Sequence, residues 1–394
     1  MKQLSIATLF AAVSGFVLMW VASWALDVET EYRYFTAFWG LFFASAGLID
    51  GITHETTRSV AGARETGVSG TANPWKFGAM TAGLVSIAVI AVGLWMMRGI
   101  VPMAPNFATS LLVFGLVSYI FQAVLSGILS GAKLWDRYAW LVALDSGIRL
   151  LLAILAWVLG WGLPAFLIIT VIGALSWLAV LGFAPVRVAL DVDRSVFLTR
   201  VVSAMLASGA SAALITGFPT AVSAAFPDGD AEVSILVAAV NNAVMLTRAP
   251  VLVPLQRFQS ALVVRFVEKQ KRVLEALVTP VAVVLGVGVA GFAAAWALGP
   301  WILKLAFPPE MAMPGLDLGL LTFASAFMGA LMITGVATLA LERHRWYVAG
   351  WITAGVTSFA LLFLAPLGVV GSVILALFVG PLVGALVHVV ALVR

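Results

Sequence analysis

The 394-residue chain contains no cysteine and only three histidines, His54, His344 and His388, far apart in sequence. Disulfides, thiolate chemistry and iron–sulfur ligation are therefore excluded, and the histidine spacing gives no support to a metal site. Charge is scarce too. Asp, Glu, Lys and Arg make up 10% of the residues, against roughly 25% in soluble domains. The formal charge of +4 lies in short segments between apolar runs, which argues for basic loops at a membrane rather than for a nucleic-acid partner. No cofactor is implied.

Apolar residues dominate instead. They form 62% of the chain, and the mean hydropathy is +1.10. Long apolar runs mean helices, because in lipid each span must satisfy its own backbone hydrogen bonds. A membrane barrel would show short alternating segments. Runs of about 20 residues span a bilayer, and twelve are expected, near 4–26, 33–53, 77–98, 107–131, 138–160, 163–183, 198–219, 233–256, 276–298, 317–340, 346–365 and 368–392. The first has only Lys2 ahead of it and reads as a retained span, not a signal peptide. Lys and Arg fall mostly in alternate connections, among them Arg58, Arg64, Lys76, Lys133, Arg137, Arg194, Arg200, Arg343 and Arg345. Asp27, Glu29, Glu31 and Glu232 fall in the others. By the positive-inside rule both termini are cytoplasmic and the protein sits in the cell membrane.

The two halves repeat. Span two runs into THETTRSVAGAR and span eight into PLQRFQSALVVR, each a basic extension of a long helix. Spans four and five are joined by SGAKLWDRYAW, and spans ten and eleven by LALERHRWYVAGW. The expected architecture is an all-α polytopic membrane protein with two pseudo-symmetric six-helix lobes, residues 1–196 and 197–394, as parallel repeats.

Three stretches carry a family resemblance: Phe35 to Val60, Met245 to Val267, and LGPWILKLAFPPEM at Leu298 to Met311. With the twelve-span, two-lobe pattern, the chain resembles the multidrug/oligosaccharidyl-lipid/polysaccharide flippase superfamily. Its Ala/Val/Gly/Trp-rich composition looks closest to the actinobacterial polysaccharide-biosynthesis (Wzx-like) branch. The resemblance implies a non-enzymatic exporter that moves a polyprenyl-diphosphate-linked glycan to the outer leaflet by alternating access. Polysaccharide-assembly proteins are the implied protein partners.

Polar groups inside the apolar runs are the candidate site. Arg248 lies about eight residues, roughly 12 Å, from the end of its span, too deep for easy snorkelling. A guanidinium there suits a diphosphate, since it keeps its charge and its fork matches phosphate oxygens; a packing role is the competing account. Pro250 and Pro254 follow and predict a bend. Asp145 and Arg149, four apart in span five, share a helical face and read either as a neutralised structural pair or as a second phosphate site. Asn241 and Asn242 are expected to bond sugar hydroxyls or to bridge helices. After span eight, Arg257, Arg265, Lys269 and Arg272 share one face of a predicted interfacial helix attracted to anionic lipids, and with Arg58 they form a candidate basic entry. Other classes stay open: a cation-coupled drug antiporter, which needs uncompensated intramembrane acids such as Asp50; a membrane glycosyltransferase, which needs a carboxylate and larger outer loops; and a non-transporting scaffold.

Overall fold

The structure is a computed structural model. It describes residues 2–183, 188–227, 230–269 and 272–393; the side chains of Lys2, Phe183, Val253, Pro254, 256–261 and Val264 also lie outside the description. Among the described residues, twelve helices are long and apolar enough to cross a membrane. In chain order the helices are α1 (Lys2–Ala25), α2 (Arg33–Thr66), α3 (Pro74–Ile100), α4 (Pro105–Gly131), α5 (Trp135–Val158), α6 (Leu163–Ile172), α7 (Ser176–Phe183), α8 (Arg194–Ile215), α9 (Phe218–Ala225), α10 (Ala231–Glu268), α11 (Val273–Ala306), α12 (Gly315–Ala340), α13 (His344–Leu364) and α14 (Gly368–Val393). Two helix starts, those of α3 and α10, are set by side-chain caps. Asn73 accepts a bond from the Lys76 amide at 3.0 Å ahead of Pro74, and Asp230 one from Glu232 at 3.1 Å. Such side chains satisfy amides that have no partner within the helix.

Two compact units result, Met1–Asp27 with Tyr34–Thr220, and Val28–Arg33 with Ala221–Arg394. Counting spans in sixes puts the midpoint at 196/197, but α8 packs with the first unit. Gly40, Gly47 and Gly51 line one face of α2, and a Cβ on any of them would run into α8 or the start of α9, at Thr220, Ala212 and Met205 respectively. The missing side chains let the helices approach closely. Residues 188–193 are held in the same unit: Asp191 donates its amide to Ser59 O at 3.1 Å, and Gly70 donates to Leu190 O at 2.6 Å.

Each unit has a buried central helix. Over their most apolar stretches, α4 is 61% and α12 78% buried, whereas α8 and α11 are 11% buried and leave their sides to lipid. The turns after α4 and α12 are duplicates. Lys133 and Glu342 adopt left-handed backbones with φ 59° and 58°. The next amides, Leu134 and Arg343, close back onto Leu129 O and Thr338 O, both at 2.8 Å. The basic-aromatic turns of the sequence are thus one backbone motif used twice.

Two helices differ from expectation. Span six is not continuous, because a 3-10 turn, Gly173–Leu175, separates α6 from α7. The interfacial helix expected after span eight is no separate element; α10 continues unbroken to Glu268. From Leu255 to Glu268 there is no glycine or proline to stop it.

Candidate functional site

A cavity of about 710 Å³ opens inside the first unit, between α1, α2, α4 and α5. Arg149 and Asp145 meet there, as their spacing on α5 predicts. Arg149 Nη1 donates to Asp145 Oδ2 at 2.5 Å, and its Nε donates to the Thr170 carbonyl at 3.0 Å. The guanidinium lies 5.2 Å from the Phe43 ring centre and 5.9 Å from that of Phe42. Arg149 is only 4% exposed, and its Nη2 has no hydrogen-bond partner among the described residues. The 3-10 turn starts at Gly173, which lies against this guanidinium: a Cβ there would lie 2.6 Å from Arg149 Nε. Glycine makes the space through which the guanidinium passes.

Around this pair is a set of groups of which the sequence pointed only to Asp50. Gln122 donates to Asp145 Oδ1 at 3.3 Å and accepts from Ser176 at 3.3 Å. Tyr119 donates its hydroxyl to Asp50 Oδ1 at 2.8 Å. Thr53, His54 and Thr57 of α2, Ser14 of α1, and Ser126, Ser130 and Tyr138 also line the space, with Trp39 and Phe43 as its aromatic walls. A signal was present: Ser118, Gln122, Ser126 and Ser130 recur every fourth residue of an otherwise apolar span, a polar stripe on one face of a helix. Asp50 has no basic partner among the described residues, so Asp50, Asp145 and Arg149 together leave one negative charge.

The second unit shows what the fold requires at the same place. Counted from the duplicated turns, Arg149 and Ser358 each lie sixteen residues past the left-handed residue, and Asp145 matches Ala354. Ser358 donates to the Ala376 carbonyl at 2.9 Å and packs against Gly380. The contact from α5 to α6 therefore recurs from α13 to α14 with a serine. Packing does not require an ion pair at this position.

The remaining candidates lie elsewhere. Arg248, Asn241 and Asn242 belong to the second unit and are 6%, 2% and 2% exposed; none of them lines the cavity of the first unit. Asn242 Oδ1 accepts the Tyr32 hydroxyl at 3.4 Å, a bridge between segments. Arg58 is bound by carboxylates, with Nη2 2.7 Å from Glu55 Oε1 and Nη1 3.3 Å from Asp191 Oδ2, so its charge is matched locally. Arg265, Lys269 and Arg272 do come together, with Glu268 and Glu275, around a surface recess of about 660 Å³. The side chains of Arg257 and Pro254 lie outside the described residues.

Two units built around α4 and α12, with an internal polar cavity, define a multi-pass membrane protein with the fold of multidrug/oligosaccharidyl-lipid/polysaccharide (MOP) superfamily transporters. An inward-facing multidrug resistance MATE family transporter of that superfamily matches with a TM-score of 0.72 at 16% identity, over 96% of this chain and 94% of the other. A MOP superfamily transporter from Pyrococcus furiosus, described as having reverse polarity of its binding pocket, matches with a TM-score of 0.65 at 16% identity, over 100% and 95%. No family model matches the chain. The chain belongs to the family of two mycobacterial proteins, Uncharacterized protein Mb3654 of Mycobacterium bovis and Uncharacterized protein Rv3630 of Mycobacterium tuberculosis. Each is 35% identical over 398 residues, spanning 98% of this chain and 90% of the relative.

Proposed function

We propose that the protein is an exporter that moves a polyprenyl-linked saccharide from the cytoplasmic to the outer leaflet of the cell membrane by alternating access, with the cavity of the first unit receiving the saccharide. The observation that carries this reading is the make-up of the cavity. Sugar hydroxyls need many short-range donors and acceptors, and the C–H faces of the ring need aromatic surface. Gln122, Tyr119, Tyr138, Asp50 and the serine and threonine hydroxyls supply the first; Trp39 and Phe43 supply the second. The volume is within the roughly 300–1,000 Å³ of small-molecule sites. Arg149 Nη2 is the donor for a phosphate oxygen, and Asp145 holds the guanidinium in place. Arg248 of the second unit is a further candidate for the phosphates. The chemistry is carriage alone: the polar head crosses in protein while the prenyl chain stays in lipid. In this reading both termini are cytoplasmic, and the recess at Arg265, Lys269 and Arg272 meets anionic head groups.

Asp50 favours a second reading, a cation-coupled drug antiporter. Its carboxylate has the Tyr119 hydroxyl but no basic partner among the described residues, and would hold an organic cation between Trp39 and Phe43. A leaflet-accessibility assay in cells depleted of the protein separates the two. Cytoplasmic-side accumulation of a polyprenyl-linked glycan, relieved by the native chain but not by Arg149→Ala, is the expected result. No accumulation, with raised sensitivity to cationic drugs that Asp50→Asn does not rescue, would replace export with antiport.

A further inference from the structure

A second recess, of about 590 Å³, lies between the starts of α1 and α5 and is lined by Gln3, Ile6, Ala7, Phe10 and by Asp136, Ala139, Trp140, Ala143. Its walls are apolar and open outward: Ile6 is 60%, Phe10 41% and Trp140 65% exposed. In a membrane-spanning unit such surface faces lipid. The floor is small, with Ala7 and Ala139 both buried. Gln3 and Asp136 sit at the helix starts, so the groove is polar at one end and apolar along the rest. From Gln3 to Phe10 it runs about 10 Å along the helix at ~1.5 Å per residue.

The same two helices also wall the polar cavity, through Ala11 and Ser14 on α1 and Asp145 and Ser146 on α5. Phe10 of the groove packs on Gly147, where a methyl group would lie 3.7 Å from the Phe10 ring. Phe10 and Gly147 are the sequence neighbours of Ala11 and Ser146. An amphiphile with its head in the cavity would therefore bring its chain out over Gly147 and into the groove.

We propose that this groove holds the first isoprene units of the prenyl chain of the transported lipid, and that the α1–α5 seam at Phe10 and Gly147 is its lateral passage. The proposal rests on the saccharide-export reading and adds where the lipid part lies. Closely packed small residues hold helices together by van der Waals contact. Small residues lie along this seam, Ala7 and Ala11 on α1 and Ala139, Ala143 and Gly147 on α5, and a flexible chain can enter it by displacing one ring.

The test uses the full-length protein in lipid nanodiscs, irradiated with a diazirine-bearing polyprenyl phosphate, with adducts mapped by peptide mass spectrometry. Adducts are expected within residues 3–10 and 136–143, competed by unlabelled polyprenyl phosphate but not by the same concentration of phosphatidylglycerol. Ala143→Phe fills the groove without altering a cavity residue and should lower labelling about tenfold, the effect of losing roughly two buried methylenes. Ala143→Leu is the milder variant, and the map of the native chain stands without either. Equal competition by both lipids would mean an ordinary boundary lipid and overturn the proposal. Specific adducts on other helices, with normal export by Ala143→Phe, would overturn the groove and leave saccharide export standing. Specific adducts nowhere would overturn both.

Discussion

Transplanting the second unit's solution into the first gives the strongest test of the ion pair. The perturbation is Asp145→Ala with Arg149→Ser, the pair of residues found at 354 and 358. Arg149→Ser alone leaves Asp145 with only its Gln122 bond and Asp50 in the same cavity. Asp145→Ala alone leaves Arg149 with the Thr170 carbonyl and two rings. Removing one partner of a buried pair costs about 3–5 kcal/mol. The cavity is polar and admits water, so about 2–3 kcal/mol per single variant is the better figure. Replacing both partners strands no charge, and the vacated volume joins an open cavity rather than forming a closed void. The double variant should therefore lose only about 1 kcal/mol, at least about 2 kcal/mol better than the sum of its singles. Thermal unfolding of the purified protein reads this at roughly 2–4 °C per kcal/mol for a unit of this size. Export should be abolished in all three. A double variant as unstable as the summed singles would make the pair a stabilising element of the fold. A double variant that exports normally would make it mere packing.

Lys133→Gly and Glu342→Gly should each raise unfolding stability by about 1 kcal/mol, since glycine carries no Cβ penalty at positive φ; a fall in melting temperature in either would refute the turn geometry. Gly173→Ala should stop export in the leaflet assay and lower the melting temperature, because its methyl group meets the Arg149 guanidinium; an unaltered variant would mean the guanidinium does not pass there. Arg272→Ala breaks a pair with Glu275 at 3.6 Å whose side chains are 76% and 72% exposed, so chemical denaturation should register less than about 0.5 kcal/mol.

The twelve spans were legible because hydrocarbon imposes a length on each apolar run. The Asp145–Arg149 pair was legible because it is local, four residues along one helix. The duplicated turns were visible as matching basic-aromatic strings, although nothing in the letters announced left-handed residues at Lys133 and Glu342. Contacts distant in sequence were not legible. Tyr119 reaches Asp50 across 69 positions and Arg58 reaches Asp191 across 133. The local Glu55 partner of Arg58 was open to a sequence reading, but its second carboxylate, Asp191, was not. Asn242 read as either a sugar contact or a bridge between helices, and the partner that decides for a bridge, Tyr32, is 210 positions away. The polar stripe of α4 was readable in principle: its period is helical, but serines and a glutamine in an apolar run draw less notice than arginines.

The second unit is not a continuous piece of chain. Arg33, 1% exposed, donates to Ser234 Oγ at 2.8 Å and to the Phe226 carbonyl at 2.6 Å, and Tyr32 reaches Asn242. Both come from a six-residue stretch, Val28–Arg33, that follows α1 and ends on the first residue of α2. A gene fragment beginning at Ala221 would therefore encode a unit with an empty socket for an arginine and a tyrosine. Co-expressing the two halves would restore those bonds only if the first half brought Val28–Arg33 with it, so split-protein complementation here depends on a segment encoded nearly two hundred codons upstream of the break.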